Sequence, residues 1–143
     1  MVTVINAEGS VVGRMATHIA KLLLKGEEVS VVNVEKAIIT GSPRFTSQKF
    51  RERLARGQGR KGPWYPSRPD RIFKRVVRGM LPYQQAKGRD AMKLLRCYHG
   101  VPKKFAQAKS VKVEGATSIR TARFMTLKQL SEALGVTVNP TRR

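Results

Sequence analysis

Acidic residues are scarce in this sequence. Nine Asp+Glu stand against twenty-nine Lys+Arg in 143 residues. None of the nine form a pair suited to general acid–base work, so hydrolytic chemistry by two carboxylates has little to stand on. Cysteine is nearly absent too. Cys97 is single, which rules out an internal disulfide and fits a reducing, cytoplasmic setting. The two histidines, His18 and His99, have no metal-ligand neighbour at usable spacing. Cys97, two residues before His99, reads as a small core residue rather than a nucleophile. No apolar run approaches the roughly 18 residues of a membrane span. The opening MVTVINAEG lacks a cationic stretch followed by an apolar one, so it is not read as a signal peptide.

What is present in excess is positive charge. The net charge is +20 and the pI about 11.3. A chain this cationic repels itself until a polyanion neutralises it, and nucleic acid is the default partner through counterion release at phosphates. The charge is unevenly placed. Residues 1–42 carry four bases and four acids, residues 43–110 nineteen bases and three acids, and residues 111–143 six bases and two acids. One domain is expected at this length. Within it, 1–42 reads as scaffold, 43–110 as the polyanion-facing part, and 111–143 as a closing strand and helix with a basic tail.

The scaffold has a recognisable period. VTVIN (Val2–Asn6) is β-branched and predicts a buried strand. Val11, Val12, Met15, Ala16, Ile19, Leu22 and Leu23 recur at helical spacing, with Gly26 as the stop. EVSVVNVE (Glu28–Glu35) predicts a second strand and AIIT (Ala37–Thr40) a third. Strand, helix and strand in that order form a βαβ unit with a parallel pair.

Beyond Gly41 the bases begin. Phe45, Phe50 and Leu54 draw a narrow apolar stripe on a basic helix. GQGRKGPWYPSRP (Gly57–Pro69) forbids regular structure and predicts a thin, extended loop. Pro69 and Asp70 suit the first turn of the next helix. On it Ile72, Phe73, Val76, Val77, Met80 and Leu81 form one face, and Arg71, Lys74, Arg75 and Arg78 the other. A further helix is expected over about Gln84–Leu95, and a short strand over Cys97–His99. VPKKFAQAKS (Val101–Ser110) reads as a second basic loop, and Val111–Val113 as a short edge strand. Thr126 and Gln129 match a capping box ahead of a last helix stopped by Gly135.

Two features compete for the function. Gly9 and Gly13 flank a strand-to-helix turn, and Glu35 ends the second strand, as in a dinucleotide site. The spacing is GxxxG rather than GxGxxG, and no GK[ST] follows. Glu8 would also face the cofactor's phosphate. A nucleotide-dependent enzyme therefore stays as the alternative; close packing of helix on strand explains the glycines otherwise.

The other feature is cationic. The acid-poor face of the helix after the loop cannot be explained by i,i+4 ion pairs. Candidate RNA contacts are Arg44, Lys49, Arg53 and Arg56 on the first basic helix, and Arg60, Lys61, Trp64, Tyr65 and Arg68 in the loop. They continue with Arg71, Lys74, Arg75 and Arg78 on the second, Lys87 and Arg89 on the third, and Lys103, Lys104 and Lys109 in the second loop. Trp64 and Tyr65 either stack on bases or pin the loop to its own domain. No helix-turn-helix, zinc finger or basic zipper appears, so folded RNA is favoured over duplex DNA, with a DNA packer as a third option.

RIFKRVVRGMLP (Arg71–Pro82) followed by GRDAMKLLRCYHG (Gly88–Gly100) resembles the large-subunit ribosomal protein L-thirteen family. GSVVGRMATHIAKLLLKGEEVSVVN (Gly9–Asn33), TGSP (Thr40–Pro43) and PSRPDRIF (Pro66–Phe73) resemble it as well, in an archaeal-type form. The resemblance implies a three-layer α/β/α fold with a mainly parallel sheet of about four strands. It also implies binding to large-subunit rRNA beside neighbouring ribosomal proteins, an assembly role, and no catalysis, cofactor, small-molecule substrate or membrane.

Overall fold

A computed structural model describes residues 2–108, 110–113, 115–117 and 122–137. Three strands form a parallel sheet in the order β1 (Val2–Asn6), β2 (Glu28–Val32), β4 (Leu95–Cys97). Val2 pairs with Glu28 at one end of β1–β2 and Asn6 with Val32 at the other; Val29 to Val31 pair with Leu95 to Cys97. The β-branched runs predicted this, since a strand buried on both faces needs no polar alternation. Ile5, Val29, Val31 and Leu95 join the main core, and Val4, Ser30 and Val32, of alternate parity, are buried outside that cluster.

Helix α1 (Val12–Leu24) crosses between β1 and β2. Its Met15, Ala16, Ile19 and Leu23 are buried, as the spacing required. It stops in a Schellman motif: Glu27 N–H donates to the Leu22 carbonyl and Gly26 N–H to that of Leu23, with Gly26 at φ 89°. Helix α3 (Pro69–Met80) packs against α1 and β4, burying Ile72, Phe73 and Val77. Helix α4 (Ala86–Lys93) also packs on α1 and leads into β4.

AIIT is a strand, but not of the central sheet. After β2, Asn33 takes a left-handed conformation (φ 55°) and residues 34–36 form one 3-10 turn, which swings the chain away. β3 (Ile38–Thr40) then pairs antiparallel with β5 (Phe124–Thr126) from the far end of the chain. The expected sheet of about four strands is thus three strands and a rudiment. The predicted edge strand 111–113 shrinks to a single parallel bridge, with Val111 N–H donating to Val4 O at 2.9 Å and Asn6 N–H to Val111 O at 3.1 Å.

Other boundaries move. The helix expected over 84–95 is shorter, because Leu95 turns into the sheet to bury its side chain beside Val29. The strand expected at 97–99 is therefore Leu95–Cys97, and Tyr98 and His99 follow it. Helix α2 (Pro43–Ala55) is where expected, but its apolar stripe is buried only in part: Phe50 packs half-buried on the core, while Phe45 is 66% and Leu54 37% exposed. It leans on α5 (Leu127–Ala133) through Arg51, which donates to the Ala133 carbonyl at 3.0 Å, and buries only Thr46. Helix α5 begins with the predicted capping box of Thr126 and Gln129.

Candidate nucleic-acid interface

The opening of the long loop is not extended. GQGRKG closes on itself, with Lys61 and Gly62 N–H groups donating to the Gln58 carbonyl and a bridge from Gln58 to Gly62. Gly57 (φ 95°) makes this possible, since a Cβ there would collide with the Gly62 carbonyl. Local backbone pairing wins over the reach that Gly and Pro suggested. Arg60 and Lys61 end up exposed at the tip of this tight turn.

From Pro63 the loop runs back to α3 and is pinned on the way. Tyr65 lies between two guanidiniums, Arg53 of α2 at 5.9 Å and Arg75 of α3 at 5.1 Å from the ring centroid. Arg53 also sits 5.5 Å from the Phe50 ring. Ser131 Oγ of α5 donates to the Ser67 carbonyl at 2.8 Å. At the root, Asp70 Oδ1 meets His99 Nε2 at 3.0 Å and Arg68 Nε at 3.5 Å. Burial alone would raise the Asp70 carboxyl. The hydrogen bond from His99 and the Arg68 charge outweigh it and hold the carboxyl below its ordinary value.

The two aromatics therefore divide the roles left open by the sequence. Tyr65 is the pin. Trp64 leans over Gly62 yet remains 68% exposed, with most of its surface open.

The basic face of α3 needs a correction. Its four bases do not all point freely outward. Arg71 is exposed, but Lys74, Arg75 and Arg78 are half-buried. Arg75 is held toward Tyr65, and the Arg78 guanidinium lies 3.7 Å from the Tyr83 ring centroid. Planar guanidinium stacks on aromatic faces, so these cations are oriented before any ligand arrives. Lys87 and Arg89 on α4 are exposed, as are Lys103 and Lys104 in the second loop and Arg44, Lys49 and Arg56 on and just after α2. Lys109 and the tail 139–143 lie outside the described residues.

The structure also brings forward residues that charge-reading passed over. A cleft of about 540 Å³ opens where α3 ends, lined by Arg75, Arg78, Gly79, Tyr83, Gln84 and Gln85 among others. A smaller one of about 300 Å³ on α2 has Phe45, Lys49, Arg53 and Arg56 on its wall. Tyr83, Gln84, Gln85 and Phe45 carry no charge, and only their exposure marks them. The one sequence signal was the Pro82 stop, which forces a turn beside the last basic side chain.

The competing cofactor site dissolves on inspection. Both Glu35 oxygens accept from the Gly100 N–H, at 3.2 and 3.1 Å, so this carboxylate ties the turn after β2 to the turn after β4. Glu8 pairs with Lys36 at 2.7 Å across the strand-to-helix turn, and that hydrogen bond lowers the Glu8 carboxyl. Gly9 is required by its φ of 70°. Gly13 is not a packing glycine, since a Cβ there meets no atom within 4 Å. Burial pushes the Cys97 thiol up to about 12, which leaves it inert. Among the described residues no cluster of His, Cys, Asp or Glu could hold a metal, and no helix is long and apolar enough to cross a membrane.

Fold and surface together define a class: a small, strongly basic α/β protein with its cations gathered on two helices and the loop between them. Comparison with known proteins narrows it. Residues 1–104 match the family described as Ribosomal protein L13. The protein called large ribosomal subunit protein uL13 in Methanococcoides burtonii is 47% identical over 135 residues, covering 93% of this chain and 97% of the relative. Its namesake in Methanopyrus kandleri is 46% identical over 138 residues, covering 93% and 86%. That of Thermoplasma acidophilum is 42% identical over 132 residues, covering 92% and 97%. The chain belongs to the ribosomal protein L13 family, and these relatives are archaeal, as the form of RIFKRVVRGMLP suggested.

Proposed function

We infer that this chain, a structural constituent of the large ribosomal subunit and not an enzyme, grips large-subunit rRNA through residues 43–110 and supports assembly there. Residues 1–42 supply most of the scaffold, and neighbouring ribosomal proteins complete its surroundings. The observation that carries the reading is the pinned cationic surface. Arg53, Arg75 and Arg78 are held on aromatic rings, and Arg60, Lys61, Arg68 and Arg71, in the loop and on α3, are exposed. Ordering those side chains in advance removes part of the entropic cost of binding.

Salt-dependent binding tests it. With about eight phosphates contacted, the log–log salt slope is near −7. Replacing Arg71, Lys74, Arg75 and Arg78 together by Gln should flatten the slope by roughly 3 to 4 while circular dichroism stays native. A folded quadruple variant with unchanged slope and affinity for deproteinised archaeal large-subunit rRNA would refute the reading.

A further inference from the structure

We propose that the cleft at the end of α3 receives a single unpaired nucleotide of the rRNA, which makes it a base-reading site rather than one more phosphate contact. The proposal rests on the rRNA-binding reading above and deepens it.

Gly79 is the strongest sign. It lies inside α3, where glycine is unfavourable relative to alanine. Its backbone has no positive φ, and a Cβ on it would meet no atom of the described residues within 4 Å. Neither conformation nor internal packing asks for glycine there. Gly88 shows the contrast: a Cβ there would run into the Pro82 carbonyl, so that glycine is explained by the fold itself. Gly79 instead borders open space, the cleft of about 540 Å³ on one side and a smaller one of about 260 Å³ beside Tyr65 on the other. A side chain at this position would project into that space.

The walls say what kind of ligand fits. A volume of this size lies within the roughly 300–1,000 Å³ of small-ligand pockets. Arg78 is stacked on Tyr83, and this pair offers flat cationic and aromatic surface to a base. Arg75 stands beside it for the phosphate. Gln84 and Gln85 are exposed amides, each able to donate and accept, which suits a base edge. Among the described residues, no acidic one lines the cleft. An acidic peptide would need the two charges but not the stacked plane, the amides or the glycine gap.

Chemical probing of base edges decides it, using the full chain on deproteinised archaeal large-subunit rRNA. The wild-type chain should protect an unpaired base. Gly79→Leu, which fills the cleft, should restore that base's reactivity and weaken binding on the order of tenfold, with backbone protections and salt slope retained. Gly79→Ala should fold at least as stably as wild type, and Gln84→Ala with Gln85→Ala should restore reactivity without touching the helix. The proposal is overturned if no unpaired base is protected, or if its protection survives both the Leu and the double-Gln change. Loss of every protection and of the salt slope in the wild-type chain would instead refute rRNA binding itself.

Discussion

The guanidinium of Arg78 stands 3.7 Å from the centroid of the Tyr83 ring, across the turn that ends α3. A lysine at 78 would carry the same charge without the planar stack. Arg78→Lys should therefore keep the salt slope of rRNA binding but lose affinity, by about 0.5–2 kcal/mol, the worth of a cation–π contact. Filter binding across a salt series separates the two terms. An Arg78→Lys chain with wild-type affinity would show that only charge matters at this position.

Trp64 and Tyr65 are adjacent and should behave oppositely. Tyr65→Ala removes the ring between Arg53 and Arg75, so it should cost about 1 kcal/mol of stability and expose the loop to proteolysis. Trp64→Ala deletes a side chain that is 68% exposed. It should leave stability within about 0.5 kcal/mol but weaken rRNA binding by about 1–3 kcal/mol, as loss of a stacked base does. Urea melts and binding assays on both variants give the comparison, and identical profiles would contradict this division.

Asp70 ties stability to acid. Its ordinary carboxyl value is 3.8, and the folded value is lower: burial works against this, and the His99 hydrogen bond and Arg68 charge prevail. Stability from a depressed carboxyl is present above the unfolded value and vanishes as pH falls through the folded one. Asp70→Asn should thus cost about 1.5 kcal/mol at neutral pH, the low end for hydrogen bonds to a charged group, since the carboxylate keeps some water. The gap between variant and wild type should close below about pH 4. Chemical denaturation at pH 3, 5 and 7 measures it. A gap independent of pH would remove the ion pair from the explanation.

Glu35 is a structural carboxylate. Glu35→Ala leaves the Gly100 N–H without its acceptor, so stability should fall by about 1–3 kcal/mol. Calorimetry with NAD, ATP and S-adenosylmethionine should show no saturable binding to wild type or variant. Binding that disappears with Glu35 would reopen the cofactor reading.

How much of this was legible in the sequence follows from where each signal resides. The first βαβ unit was plain, because β-branched runs and an i, i+4 stripe are local patterns with one packing solution. Helix α3 was plain for the same reason, down to Pro69 at its start. The partner of AIIT was not, since nothing local says that Phe124–Thr126 arrives beside it. The closed turn at 57–62 was hidden because glycine permits both reach and closure, and only the Gln58 carbonyl's choice of partners settles it. The spacing puts Arg75 and Arg78 on the basic face of α3 but does not show that they are half-buried. Their stacking on Tyr65 and Tyr83 depends on turns whose geometry charge counting does not carry, and the uncharged Tyr83, Gln84 and Gln85 of the cleft leave no charge to count.

The late partners of the early strands have a consequence for how the chain is made. β1 has Val111 at its edge, and β3, bridged on one side to Val11, has β5 on the other. Synthesis delivers 1–42 first, then the cationic middle, and only near the end the segments that close both sheets. Until then two strand edges stand open while the most basic stretch is already free, and contacts so distant in sequence close slowly. The interval is one in which a polyanion could engage the half-finished chain before its own last strand does.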